Sequence, residues 1–338
     1  MKLSIYEEKT IMKKIKGRLL TLAVMVMMLT ALVLSGCGKK EESAEIRVGA
    51  LKGPTTIGLL RLMDEAEKGN TQNSYTFTMA TAADELTAQV VKGDLDIALL
   101  PANVAAIVYQ KTDGGVTVLD VNTLGVLYLV SGRDDITGVA DLAGRTVYLT
   151  GKGTTPDYCL QYLLAQNGLS LEDVTLEYKS EATEVAAVLS ENPDAVGLLP
   201  QPFVTVACAQ NDALKVCASL TEEWDKAADD GSSLLTGVTI VRNDFLKEHK
   251  KAVEQFLKDH KESADFANSN VEETAALCVA QDIIAKEPVA QKAIPFCNIT
   301  CMTGSEMKEA LSGYLKVLYE LNPTAVGGEL PADDFYYE

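Results

Sequence analysis

Short β-prone runs alternate with helical runs along most of this chain, and the alternation constrains its fold more than any other feature. Three strand–helix pairs follow one another between residues 45 and 110, and a similar series runs from 145 to 219. Repeated units of this kind build parallel sheets with right-handed crossovers. The sequence therefore predicts an α/β protein.

Two further β-prone stretches, residues 116–130 and 235–241, separate these series from each other and from a helical C-terminal part. We interpret them as strands that cross between two lobes. The predicted first lobe comprises residues 45–130 and 240–338, and the predicted second lobe comprises residues 131–239. Two crossings between lobes form a hinge, and open α/β sheets bind ligands beyond the carboxyl ends of their strands.

The N-terminal segment has the order of residues that is typical of a secretory signal. A basic stretch begins at Met12 and an apolar run ends in Leu34-Ser35-Gly36-Cys37, which resembles the lipobox of bacterial lipoproteins. The resemblance implies cleavage before Cys37 and a lipid on that cysteine. We predict a signal peptide over residues 1–36, with translation starting at Met1 or Met12, and a lipid-anchored tether over 37–44. A signal anchor with an incidental cysteine is the alternative.

The charge balance excludes nucleic acid as a partner. Residues 1–36 hold six of the 30 basic and two of the 48 acidic residues, which leaves 24 and 46 and a net charge of −22. Phosphate binding requires an excess of lysine and arginine, which this chain lacks. We therefore expect membrane attachment through the lipid on Cys37, on the extracytoplasmic side.

Neither the cysteines nor the histidines form a motif that is typical of catalysis or metal binding. The six cysteines after Cys37 lie mostly in apolar settings, and Cys297 and Cys301 are the expected pair if any disulfide forms. His249 and His260 lie about 16 Å apart along one predicted helix, too far to share a metal, and we expect them at the edge of the core or in solvent. We therefore predict no enzyme activity, no metal and no cofactor.

Several segments resemble one family of binding proteins. They read Arg47-Val48-Gly49-Ala50-Leu51-Lys52-Gly53-Pro54, Gly93-Asp94-Leu95-Asp96-Ile97-Ala98, Asp141-Leu142-Ala143-Gly144-Arg145-Thr146-Val147 and Leu199-Pro200-Gln201-Pro202-Phe203. In this order they are similar to the nitrate, sulfonate, taurine and thiamine-precursor class of ABC-transporter solute-binding proteins. The resemblance implies a two-lobed type II periplasmic-binding (Venus-flytrap) fold that closes on one small molecule.

The predicted ligand site consists of the loops that precede helices, because a helix N-terminus presents free N–H groups and a positive dipole end. The candidates are Lys52, Gly53, Thr55, Thr56, Thr81, Ala82, Pro101, Asn103, Asn122, Thr123, Gly151, Lys152, Gly153, Thr154, Thr155, Gln201, Pro202 and Trp224.

Some of these candidates have a second interpretation. Thr55, Thr81 and Thr155 are also suited to cap helices. The run from Gly151 to Thr155 is a glycine-rich turn and departs from the phosphate-loop pattern. Trp224, in a helix that we expect Thr221 to cap, is either a stacking platform for a planar ligand or a packing anchor.

The resemblance implies a monomer that delivers a small polar or anionic molecule to an ABC permease. A sensor input that docks on a membrane receptor and an exported enzyme of the same fold are the alternatives. Two ligand classes stay open. One is an oxyanion held by helix N-termini with Lys52 or Lys152, and the other is a planar heterocycle such as a pyrimidine vitamin precursor.

Overall fold

A computed structural model describes residues 43–228 and 231–338, so the predicted signal peptide, Cys37 and most of the tether lie outside the described residues. Residues from Ser43 onward form one compact unit. None of the helices in these two ranges has the length and the apolar character that crossing a membrane requires.

The strands form two sheets within the described residues. The first has the order β11-β4-β10-β3-β1-β2 and the second the order β7-β6-β8-β5-β9. The strands are β1 (Glu45–Leu51), β2 (Ser74–Ala80), β3 (Ile97–Pro101), β4 (Val116–Leu124), β5 (Leu127–Ser131), β6 (Thr146–Thr150), β7 (Thr175–Lys179), β8 (Val196–Pro200), β9 (Lys215–Ser219), β10 (Leu235–Arg242) and β11 (Ile299–Met302).

Helices lie on both faces of each sheet. They are α1 (Pro54–Ile57), α2 (Leu60–Glu67), α3 (Ala83–Lys92), α4 (Ala102–Lys111), α5 (Thr155–Gln166), α6 (Ala182–Glu191), α7 (Phe203–Gln210), α8 (Leu220–Ala227), α9 (Asn243–Glu248), α10 (Lys250–Ser269), α11 (Val271–Ala280), α12 (Glu287–Ala293) and α13 (Gly304–Leu321). This mixed architecture confirms the predicted fold class.

The chain changes sheet between Leu124 and Leu127 and returns between Ser219 and Leu235. Both changes fall a few residues before the lobe boundaries that the sequence predicts. β4 and β10 pair antiparallel in the first sheet, so the outgoing and the returning segment leave it side by side. The hinge between two lobes stays a prediction.

Two elements of the C-terminal part differ from the expectations. The one helix predicted to carry both His249 and His260 is two helices that meet at His249. The edge strand β11 was not expected, because four residues are too few for strand alternation to stand out.

One apolar cluster joins the two sheets. It contains Leu100 of the first sheet and Leu149 of the second, and between them Leu311 and Tyr314 of α13, all fully buried. α13 packs against α4 as well as against α5. A single C-terminal helix therefore contributes to the packing of both sheets.

A buried carboxylate holds the start of the first sheet. Asp96, immediately before β3, accepts hydrogen bonds from the backbone N–H of Arg47 (2.9 Å) and from its Nε (2.9 Å) and Nη2 (2.5 Å). The carboxylate is 2% exposed, so its removal leaves the Arg47 N–H without an acceptor in a dry site.

We expect Asp96→Asn to lower the free energy of unfolding by about 1–3 kcal/mol, because the amide offers donors where Arg47 also donates. Urea denaturation followed by circular dichroism measures this. The matched control is the exposed neighbour Asp94→Asn, for which a change within about 0.5 kcal/mol is expected. Equal losses in both variants would contradict the assigned role of Asp96.

Candidate functional site

The carboxyl ends of the first three strands lie at one edge of the first sheet. β1 is parallel to both β2 and β3, which places Leu51, Ala80 and Pro101 together. Pro101 pairs with Gly237 of β10, and Gly237 in turn pairs with Thr123 of β4. This edge therefore abuts the segments that connect the sheets.

The second sheet approaches the same segments from its own carboxyl edge. β6 is parallel to both β7 and β8, and Pro200 at the end of β8 pairs with Leu127, the first residue of β5. Thr123 and Leu127 are only four positions apart along the chain. The two carboxyl edges therefore meet at the segment that links β4 to β5, residues 124–127, which we call the crossing. Open α/β sheets bind ligands at such a place.

A cavity of about 1180 Å³ lies beside this crossing. Its walls come from β5, β9, α7 and α8 on one side, and from α12 and the segment after it on the other. Its lining residues include Tyr128, Gln201, Thr221, Glu222, Asp225, Lys292, Phe296 and Asn298. Such a volume accommodates a small organic molecule.

Aromatic and acidic side chains give this cavity its character. The Tyr128 hydroxyl donates to the carbonyl of Phe296 (2.8 Å), and the Phe296 ring is 54% exposed. Burial, and then the charge of Glu222, raise the pKa of Asp225. The cavity thus has two neighbouring carboxylates, Glu222 and Asp225, and one lysine, Lys292, on the opposite side, and this balance favours a neutral or cationic ligand over an anion.

The crossing itself is held from both sides of the cavity. The Gly125 carbonyl accepts hydrogen bonds from Asn298 Nδ2 (2.6 Å) and from Thr221 Oγ1 (3.0 Å). A Cβ at Gly125 would lie 2.3 Å from Thr221 Oγ1, so only glycine fits here. Two lining residues thus fix the segment on which the carboxyl edges converge.

A second group of candidates lies on β4 and α1 and is buried. Thr123 Oγ1 donates to Asn122 Oδ1 (3.0 Å), and Asn122 Nδ2 donates to Thr239 Oγ1 (3.1 Å). A Cβ at Gly237 would lie 2.5 Å from both Asn122 Oδ1 and Thr55 Cγ2. The structure therefore brings Thr55, Asn122 and Thr123 together, as a packed polar cluster.

One pair of candidates, Asn103 and Thr155, connects a loop of the first sheet to a loop of the second. Thr155 Oγ1 and Asn103 Oδ1 are 3.5 Å apart, and Asn103 Nδ2 also donates to the carbonyl of Ala325 (3.3 Å). Pro101, at the end of β3, is half-buried beside them. This contact connects the start of α4 to the start of α5 across the two sheets.

The two candidate lysines have other partners. Lys52 Nζ forms an ion pair with Asp282 Oδ2 (2.9 Å), and Lys152 Nζ lies 5.3 Å from the centre of the Tyr178 ring. Both side chains are on the exposed surface. Thr81 and Ala82 are exposed as well, and Ala82 is the residue that precedes α3.

The loop from Gly151 to Thr155 uses part of its N–H groups internally. The N–H of Gly153 donates to Asp157 Oδ2 (2.7 Å), and the N–H of Thr154 donates to the Gly151 carbonyl (2.9 Å). The buried Asp157 carboxylate also accepts from Tyr178 and Gln161. A carboxylate of the chain itself therefore lies where the sequence predicts an anionic ligand.

Capping does not account for the candidate threonines. The residues that precede α1, α3 and α5 are Gly53, Ala82 and Thr154, and none of them makes a side-chain cap. Thr56 Oγ1 donates to the Leu51 carbonyl, so its hydroxyl serves the loop. For α8 the expected cap was wrong, because Ser219 accepts from the N–H of Glu222.

Gln201 lies in the wall of the cavity, beside the half-buried Pro202. Its Oε1 accepts a hydrogen bond from Thr205 Oγ1 (2.8 Å). The amide nitrogen of Gln201 takes no part in this bond. Of the candidate residues named from the sequence, Gln201 is the one that lines the cavity.

Trp224 is a packing anchor, which corrects the stacking interpretation. The indole is fully buried between Tyr162 (ring centres 4.3 Å apart) and Tyr314 (5.6 Å). Its Nε1 donates to Ser232 Oγ (3.1 Å). Tyr128 and Phe296 are instead the aromatic residues of the cavity, and nothing in their local sequence pattern distinguishes them from core residues.

One further expectation was wrong, and the Cys297–Cys301 pairing was conditional on a disulfide that does not form among the described residues. His260 lies inside the core, 0% exposed, because α10 turns Phe256, His260 and Ala264 toward the first sheet. Cys297 and Cys301 are free thiols: Cys297 Sγ donates to the Ala293 carbonyl (3.3 Å), and Cys301 lies on β11. Polar core residues of this kind carry no signal in an amphipathic pattern.

Comparisons with known proteins agree with this architecture. A family model described as NMT1/THI5 like matches residues 87–274. Binding proteins of Brucella abortus and Brucella suis are each 25% identical over 178 residues, 53% of this chain and 51% of theirs. The chain thus spans about half the length of the curated relatives it matches.

Solved structures give the same fold over most of the chain. An ABC transporter protein from Parabacteroides distasonis is 25% identical with a TM-score of 0.74, covering 87% of this chain and 98% of its own. The periplasmic aliphatic sulphonate-binding protein of Escherichia coli is 17% identical with a TM-score of 0.69, covering 87% and 92%. The type II periplasmic-binding fold predicted from the sequence is thereby confirmed.

We expect Trp224→Ala to lower the free energy of unfolding by about 3–5 kcal/mol, because it leaves a cavity between the two tyrosines. Urea denaturation gives the value. Phe296→Ala is the control, since this exposed ring contributes little to the core, and its expected change is below about 1 kcal/mol. A Trp224→Ala variant as stable as the parent would show that the indole is not an anchor.

Proposed function

This chain belongs to the NMT1/THI5-like family, and we propose that it is the extracytoplasmic solute-binding protein of an ABC importer. The observation that carries the proposal is the convergence of both carboxyl edges on one crossing with a cavity beside it. The relative from Parabacteroides distasonis is described as an ABC transporter, and those from Brucella as binding proteins.

Binding and closure are the whole of the proposed mechanism. The ligand occupies the cavity between the elements of the two sheets, and the lobes close as it makes contacts on both sides. The closed form is the one that docks on the permease, as a monomer held to the membrane by a lipid on Cys37. Transport energy comes from the permease complex, so the chain itself needs no catalytic group.

For the ligand, we propose a small neutral or cationic molecule with a planar apolar part, such as an aminopyrimidine. Tyr128 and Phe296 offer aromatic surface, and Glu222 with Asp225 accept hydrogen bonds from an amine. Gln201 supplies an amide. The oxyanion class is less well supported, because Lys52 and Lys152 are engaged elsewhere and Asp157 takes an amide of the glycine loop.

A thermal-shift screen tests the ligand class. The purified protein is first unfolded and refolded, so that any ligand carried through purification is removed. It is then screened with aminopyrimidines, thiamine precursors, alkyl amines, sulfonates and nitrate. A ligand present at 100 times its dissociation constant adds about 2.7 kcal/mol of stability, and we expect this from the first three groups. A shift with sulfonate or nitrate alone would contradict the ligand class but retain the importer function.

We expect Glu222→Gln to weaken binding of a cationic ligand identified in the thermal-shift screen at least tenfold. The substitution removes a charge-assisted hydrogen bond of about 1.5–3 kcal/mol. Isothermal titration calorimetry measures the affinity. Glu191→Gln, on the exposed end of α6, is the control and should bind as the parent does. Unchanged affinity in Glu222→Gln would contradict the proposal that the ligand binds in this cavity.

A further inference from the structure

Three side chains that metals prefer meet in the first sheet, away from the cavity described above. Asp120 lies on β4, His260 on α10 and Cys301 on β11. One potential ligand atom from each lies within 4.8 Å of those of the other two. They belong to elements distant in sequence, so tertiary folding and not local geometry places them together.

The charges of this group are poorly compensated by the protein alone. Asp120 is 0% exposed and accepts from Thr239 Oγ1 (3.0 Å), while its second oxygen lies 3.1 Å from His260 Nδ1. His260 is also 0% exposed, and its Nε2 has no hydrogen-bond partner among the described residues. If the His260 imidazole is neutral, the buried Asp120 carboxylate has no counter-charge. If the imidazole is charged, its Nε2–H is buried without an acceptor.

From this arrangement we propose that Asp120, His260 and Cys301 bind one divalent cation of the zinc class. An oxygen, a nitrogen and a sulfur ligand together suit Zn²⁺, which accepts all three atom types in tetrahedral sites. Magnesium and calcium prefer oxygen alone. Three protein ligands leave a fourth position for water.

Cys301 is the residue of the group through which an ion can reach the site from solvent. Its side chain is half-buried on the edge strand, whereas Asp120 and His260 are closed off. Burial and the nearby Asp120 charge raise the pKa of the Cys301 thiol. Lys261 and Asp265 stand near Cys301 and pair with each other (2.7 Å).

The ion would join the two halves of the first sheet. Asp120 precedes the excursion of the chain into the second sheet, and His260 and Cys301 follow it. Metal binding therefore links β4 to α10 and β11, which follow the second sheet in the sequence. This role is independent of the proposed ligand and of the permease.

Cobalt(II) is the probe, because a thiolate ligand gives Co²⁺ an intense charge-transfer band in the near ultraviolet. The purified full chain is stripped with a chelator, reduced, and titrated with Co²⁺ and then with Zn²⁺. We expect one equivalent of Co²⁺ to bind with the thiolate band, and Zn²⁺ to displace it. Thermal unfolding of the same samples should show a higher Tm with Zn²⁺ than without.

Cys301→Ser is the test variant and Cys208→Ser the matched control, since both thiols are half-buried and only Cys301 belongs to the group. Circular dichroism confirms the fold of each. We expect Cys301→Ser to lose the band and at least about tenfold in Zn²⁺ affinity, and Cys208→Ser to keep both. The proposal is overturned if the parent chain binds no stoichiometric Co²⁺, or if the band persists in Cys301→Ser.

Discussion

The antiparallel pair of β4 and β10 is the constraint on which the remaining structure depends. β4 takes the chain toward the second sheet and β10 brings it back, and both strands are hydrogen-bonded along most of their length. Their pairing fixes where the second sheet attaches, since β5 begins only three residues after β4 ends. The register is irregular near Leu235 and Gly237, at the end closest to the crossing. The cavity, the Gly125 carbonyl and the polar cluster around Asn122 all lie at this end.

The buried polar residues of the first sheet form a continuous series along these same strands. It runs from Thr123 through Asn122 and Thr239 to Asp120 and His260. Buried polar groups reinforce a unique arrangement when every member has a partner, and one unpaired member costs free energy. Here the unpaired atom is His260 Nε2, at the far end of the series from the crossing. The proposed metal site thus lies at one end of this polar series, and the crossing, with the proposed ligand cavity beside it, lies at the other.

Most of the fold could be predicted from the sequence, and less of the site. Regular elements with clear periodicity, such as β1 and α3, belong to the strand–helix series predicted between residues 45 and 110, because hydrophobic spacing and turn glycines mark them directly. Gln201, which lines the cavity, was among the candidates because a loop after a strand is a predictable place for a ligand. Trp224 and His260 could not be placed, because whether a side chain points into a core or a cleft is decided by elements far away in sequence. For the same reason Asp120 and Cys301, 181 positions apart, carried no joint signal.

The C-terminal end of the chain has a consequence for the order of assembly. Tyr336 forms a bridge with Val118 and the N–H of Tyr337 donates to the Val118 carbonyl (2.9 Å), while α13 fills the space between the two sheets. The first sheet therefore cannot complete its core until the segment from α13 to Tyr337 has reached β4, which lies far earlier in the sequence. Contacts of such long sequence separation slow folding, because the loop between them must close first. The packing that joins the two sheets is therefore completed late in folding, whereas pairs within one sheet, such as β6 with β7, need only shorter loops to close.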